Sequence, residues 1–183
     1  MRSVRTTFNL RSVAPVLALA CMMGACAPMA THPPIHAMPW SNPGFEPLPT
    51  LMIRTLQFAN LEYGDESGEF VFNLPERTPI GVYTQVGNKL ETGQPMIDAG
   101  QDAFHLTSIR ARGSKAEVDL LYPGPDGTML FVTVHLRNEM MRGWRVNDTR
   151  RWHIPEQTPE PTYPVSETEQ VAAADMPEMA ELE

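Results

Sequence analysis

Between Phe104 and Ile154 the chain alternates between apolar and polar positions. In "MLFVTVHLR" the aliphatic Leu130, Val132, Val134 and Leu136 fall on one parity, with Met129, Phe131, Thr133, His135 and Arg137 on the other. A period of two predicts a strand with one face in a core. The same test turns Val118, Leu120 and Tyr122 inward on the preceding strand. On the following strand it turns Trp144, Val146, Trp152 and Ile154 inward, with Asp148 and Arg150 as polar exceptions on the same parity. Gly, Pro and Asp at "GS", "PGPDG" and "MMRG" supply turns between the runs, so this half reads as a four-stranded meander.

The half before it has helical spacing. Leu51 or Met52, Leu56, Ala59 and Tyr63 share one face, with Thr50 as N-cap and Gly64 as stop, which predicts a helix over 51–62. "GEFVFNLP" reads as a short strand ended by Pro75. Ile80, Tyr83, Val86 or Gly87, and Leu90 then line a second helix, with Thr78 as its cap and Pro79 in its first turn. Helices followed by a meander define an α+β class: one or two N-terminal helices on a four- or five-stranded antiparallel sheet. This order of elements resembles nuclear-transport-factor-like and cystatin-like architectures. The resemblance carries no motif and transfers no active-site residue.

Both ends of the chain differ from its middle. Arg2, Arg5 and Arg11 precede the uncharged "VAPVLALACMMGA", the layout of a secretory signal, too short for the roughly 20 apolar residues of a spanning helix. "MGAC", Met23 to Cys26, resembles the lipobox of bacterial lipoproteins. That resemblance implies a signal peptide over 1–25, acylation of Cys26 and attachment to a membrane. Ordinary cleavage at "ACA" or "APMA" is the alternative. If Cys26 is acylated, Cys21 leaves with the signal and the exported domain has neither a disulfide nor a thiol ligand. Residues 26–49 are rich in proline and read as an extended linker, which leaves 50–154 as a single domain. Residues 155–183 hold eight acids and no Lys or Arg, a composition that predicts a disordered acidic tail.

The formal net charge is −8. Acids predominate over 46–104 and cations over 105–154. Net acidity with an export signal argues against nucleic acid as a partner. On the outward parity of the meander stand Arg110, Arg112, Glu117, Asp119, His135, Arg137, Arg145, Arg151 and His153. Arg110 faces Glu117 if the "RGSK" turn is centred on Gly113 and Ser114, and such pairs are ordinary on a wet sheet face. Arg137, Arg145 and Arg151 outnumber the acids beside them and are the candidate binding residues for an anionic partner.

Other clusters carry less. His105, His135 and His153 stand on three strands with no local ligand spacing. In "HPPIH" two prolines prevent the helix that would bring His32 and His36 together. Asp65, Glu66 and Glu69 belong to a Gly- and Ser-flanked turn. Neither a nucleophile elbow nor a phosphate loop nor a zinc motif occurs, and no cofactor is implied. The sequence thus predicts an exported, lipid-anchored envelope protein: a non-catalytic binding or scaffolding module whose partners are the membrane and an acidic envelope polymer or protein. The alternatives are a small-molecule-binding domain or hydrolase working on the concave face of the sheet, with a pocket around Asp148, Arg150 or His105, and a purely structural envelope component.

Overall fold

A computed structural model describes residues 29–34, 42–65 and 68–164. The expected signal peptide, Cys26 and the tail beyond 164 lie outside the described residues. In chain order the elements are β1 (Met29–His32), α1 (Leu48–Tyr63), β2 (Phe70–Asn73), α2 (Ile80–Leu90), β3 (Gly93–Pro95), β4 (Ala103–Arg112), β5 (Lys115–Pro123), β6 (Met129–Glu139) and β7 (Gly143–Glu156).

The class is mixed α+β, but the sheet is larger than the expected four or five strands and is not wholly antiparallel. It has seven strands in the order β3-β2-β4-β5-β6-β7, with β1 also on β4. β2 runs parallel to both β3 and β4. The remaining pairs, including β1 with β4, are antiparallel. The two strands not expected from sequence are short and untypical: "MATH" lies within the proline-rich stretch, and two of the three residues of "GQP" are Gly and Pro. Each is a strand because a longer neighbour offers it an edge, a choice that intrinsic propensity does not encode.

α1 begins at Leu48, earlier than expected, and Thr50 is not its cap. The Thr50 hydroxyl donates to Glu46 Oε1 at 2.7 Å, and Pro47 occupies the N-cap position without a side-chain bond. Gly64 does close the helix, its N–H bonding Asn60 O at 3.0 Å. α2 starts one residue after Pro79, which stands extended at its N-cap. Ile80, expected inside, is half exposed, and the buried face is Val82, Tyr83, Val86 and Leu90.

Both helices cover one face of the sheet. Leu51, Met52, Leu56 and Ala59 of α1 join Tyr83 and Val86 of α2, and the sheet contributes Phe72, Ile109, Val118, Leu120, Val132 and Val134, all fully buried. Each large apolar side chain removed from water here contributes about 1.5–3 kcal/mol. Tyr63, at the end of α1, stacks on Tyr122 of β5 with ring centres 4.0 Å apart. Among the described residues no helix is long and apolar enough to cross a membrane.

The parity expected for β5 and β6 agrees with this core. That for β7 holds only at its start. Trp144 is buried and Val146 pairs with Leu136, but a bulge between His135 and Leu136 inserts Asn147 and reverses the strand's faces. Asp148, Arg150 and Trp152 therefore leave the core side, and Thr149 and Arg151 take it. Trp152 lies beside Phe131 on the outer face, with ring centres 6.2 Å apart, and Ile154 is half exposed. The bulge keeps two charged side chains out of an apolar core, where either would cost several kcal/mol unless paired.

The described fold includes residues on both sides of 50–154. Met29 to His32, expected in the linker, pair with β4. Pro159 to Tyr163, expected in the tail, lie against the ends of β2 and α2. There Asn73 Nδ2 donates to Glu160 O at 2.8 Å, and the Thr162 N–H donates to Asn73 Oδ1 at 2.9 Å. Tyr163 meets the Tyr83 ring edge-on at 5.0 Å. A chain ending at Glu156 should therefore melt roughly 5–10 °C below one ending at Pro164, since it loses several part-buried hydrogen bonds. Equal melting temperatures by calorimetry would show that this strap adds nothing.

Candidate functional site

β4 carries two strands on one edge, and they approach each other along it. β2 pairs with it up to Asn73 opposite His105, and β1 pairs back to His32 opposite Ile109. Neither pairs with Leu106, Thr107 or Ser108, where β4 also shifts its register against β5. A cleft of about 630 Å³ opens at this gap, walled by Pro33, by Asn73 to Glu76, by His105 to Thr107 and by the strap from Pro159 to Thr162.

The hydrogen bonds around the cleft fix the protons of two buried histidines. Asn73 Oδ1 accepts the Thr162 N–H, and Asn73 Nδ2 donates to Glu160 O, so the orientation of the amide is determined twice over. Nδ2 also lies 3.2 Å from His105 Nδ1. As Nδ2 can only donate, Nδ1 accepts and the neutral ring carries its proton on Nε2. That Nε2–H is buried and has no partner among the described residues.

His32 has the same tautomer for a different reason. The Thr78 hydroxyl donates to Pro75 O at 2.6 Å, so at 2.7 Å it accepts from His32 Nε2 and leaves His32 Nδ1 as a buried, unpartnered acceptor. The hydroxyl expected to cap α2 thus ties β1 to the loop after β2. Burial lowers both imidazoles from the ordinary value near 6.5 to about 4. Burial also raises the Tyr83 hydroxyl, which bonds the Thr162 hydroxyl at 2.6 Å.

The outer sheet face, opposite the helices, is ordered in rows across the strands. Arg112, Lys115, Arg137 and Arg145 are cross-strand neighbours in sequence on β4, β5, β6 and β7. All four are exposed, and none has an acidic partner among the described residues. Arg110, Glu117, His135 and Asp148 make the next row. The expected Arg110–Glu117 register holds, at 3.4 Å, but the closer partner is Asp119, which takes two bonds of 2.6 and 3.0 Å and raises Arg110 above its ordinary value. Asp119 also accepts from the Thr133 hydroxyl at 2.8 Å, which in turn accepts from Trp152 Nε1 at 3.0 Å.

Of the three candidate arginines, Arg137 and Arg145 stand directly opposite each other in the basic row, whereas Arg151 is elsewhere. The bulge at Asn147 moves it to the helix side, opposite Val132. There it meets Glu62 of α1 at 3.4 Å and lies 5.4 Å above the Tyr63 ring. Arg112 and Lys115 complete the row in its place. Arg112 was read as a charge on the outward parity and Lys115 was not, and the alignment of the row needed the register of three hairpins.

The other candidates are dispersed. His105 and His135 occupy rows four residues apart along β5, opposite Leu121 and Glu117, and the side chain of His153 lies outside the described residues, as do His36 and Glu66. No group of three or more His, Cys, Asp or Glu able to hold a metal occurs among the described residues. Arg150 lies 4.1 Å over the Trp152 ring. Asp148 and Arg150 are on the outer face, away from the cleft that contains His105. No family model matches this chain, no curated protein matches it, and no solved structure does. A functional reading therefore depends on these residues alone.

The two histidines make stability sensitive to acid. Their folded-state values lie below the unfolded value, so the unfolded chain binds the extra protons between about pH 6.5 and 4. The stability they permit is complete above 6.5 and falls as pH drops through that window, by roughly 3 kcal/mol for each ring once pH is below 4. Chemical denaturation of the wild type and of a His32→Gln, His105→Gln double variant should diverge in pH dependence over that window, with the variant flatter. Parallel curves would contradict the buried neutral rings.

Proposed function

We propose that this chain is an exported envelope protein, acylated at Cys26 and held at a membrane, whose domain is a non-catalytic module that docks an anionic partner on the outer face of its sheet. The observation that carries this reading is the row of Arg112, Lys115, Arg137 and Arg145. Like charges opposite one another destabilise a sheet pair by a few tenths of a kcal/mol to about 1 kcal/mol. Such a row is costly in the free protein and gains when anions neutralise it. An acidic envelope polymer or protein segment is one source of such anions and would bind by several salt-sensitive contacts, with the chain's own acidic tail as a competitor for the same face. Nucleic acid fits poorly with net acidity and export.

Two measurements test this. Mass spectrometry of the mature N-terminus should find an acylated Cys26; an unmodified terminus at Pro28 or Thr31 would remove the anchor and leave export standing. Poly-glutamate beads should retain the protein at low salt and release it at high salt, with retention weakened by Arg137→Ser with Arg145→Ser. Equal retention of both proteins would return these residues to an ordinary solvated surface.

A second reading, small-molecule binding, is favoured by the unpartnered Nε2–H of His105 at the cleft. In that tautomer the ring offers a donor to a carbonyl or carboxylate oxygen and no free lone pair to act as base, since Nδ1 is engaged by Asn73. This supports binding over hydrolysis. The imidazole N–H resonance of His105 should shift when acetamide or acetate is titrated in; an unmoved resonance with both probes would argue against a site there.

A further inference from the structure

The basic row is at one end of the sheet, together with three other features. β1 begins at that end, with Met29 opposite Arg112. The β4–β5 turn lies there and touches the end of β6, where Asn138 N–H bonds Ser114 O at 2.8 Å. The β6–β7 turn lies there too, and presents Met140 and Met141 at 93% and 99% exposure, the two most exposed large apolar residues described. Met141 holds φ 72°, a left-handed conformation ordinarily left to Gly or Asn. Neither side chain contributes to the core, so folding does not explain two adjacent apolar residues at a strained, protruding turn. Beside them Arg142 is also exposed, 3.9 Å from Glu139. The opposite end of the sheet, where β4 begins and β5 ends, carries Asp102, Asp126 and Glu156.

The length of chain before β1 connects this end to the anchor. Only Ala27 and Pro28 separate Cys26 from Met29, and three residue steps reach about 10 Å even when fully extended. That is close to the Debye length of about 8 Å in physiological salt, within which a charged bilayer attracts cations. An acyl chain on Cys26 would therefore hold this end against the bilayer. So short a tether also gives a high effective concentration, at which contacts too weak to act alone become effective.

We propose that this end of the domain docks on the surface of the anchoring bilayer, with anionic phospholipid headgroups neutralising Arg112, Lys115, Arg137 and Arg145 while Met140 and Met141 enter the interfacial layer. This names the anionic partner of the basic row and rests on the reading of Cys26 as acylated. It also gives the domain one orientation: the acidic end, the PGPDG turn and the exit of the C-terminal strand face away from the membrane. The His105 cleft, midway along β4, stays open to the side.

The test uses the native acylated protein with a polarity-sensitive fluorophore on Met141→Cys or, at the opposite end, on Asp126→Cys. It is mixed with phosphatidylcholine vesicles with or without phosphatidylglycerol. The expected result is flotation with both vesicles, a blue shift at position 141 only where phosphatidylglycerol is present, and no shift at 126. Arg137→Ser with Arg145→Ser should abolish the shift and leave flotation intact. Flotation with position 141 as wet as position 126 would overturn the docking face and leave the anchor standing, with a polymer or protein as the remaining partner. Failure to float on either vesicle would overturn the anchor, and this proposal with it.

Discussion

β4 has two edges and three partners, and that sharing determines most of what is distinctive in this molecule. One edge takes β5 and continues the meander. The other is divided: its first part pairs with β2 running parallel, and its last part with β1 running antiparallel. Because the two approach from opposite directions, the middle of the edge is left unpaired and a cleft forms there. Because β1 takes the final residues of β4, the N-terminal segment enters the fold beside Arg112, at the basic end. Both candidate surfaces thus follow from the way one strand of ten residues is shared.

Polar groups stabilise this arrangement where apolar contact is scarce. Asn73, the last residue of β2, bonds His105 of β4, Tyr83 of α2 and the strap around Thr162. His32, the last residue of β1, is tied through Thr78 to the loop that follows β2. The ends of two short strands are held together by buried hydrogen bonds, each strengthened by the low local dielectric and costly to break for the same reason. Neutral imidazoles suit this role at physiological pH, and their protonation explains why acid should loosen this region.

Much of the fold was legible in the sequence. β4 to β7 announced themselves through strict alternation and turn residues, because each has a long half-buried face, and α1 and α2 did so through spacing at one face. What could not be read had specific causes. β1 and β3 are too short and too rich in Pro, Gly and small residues to show a period. The reversal of β7 depends on a single inserted residue, Asn147, that resembles its neighbours, and so Trp152 and Ile154 were expected inside and Arg151 outside. The Asp148 and Arg150 exceptions were the one signal of it: two charges on a core parity imply a bulge between them and the last apolar residue. His105 was named with Asp148 and Arg150 as a pocket candidate, but the sequence did not separate it from those two, because the strap that walls its cleft comes from beyond the expected domain.

The central claim is that β1 is part of the sheet, so that the proposed acyl group on Cys26 would be attached only two residues before the fold begins and not by a spacer of some twenty residues. Amide hydrogen exchange on the full chain tests it most directly. The amides of Met29 to His32 that face β4 should be protected to a degree comparable with those of Ile109 to Arg112. Exchange in that segment at the rate of an unstructured peptide, with the β4–β5 hairpin still protected, would contradict the account: a proposed anchor at Cys26 would then leave the domain free to move well away from the bilayer, and the basic end would have no fixed place beside it.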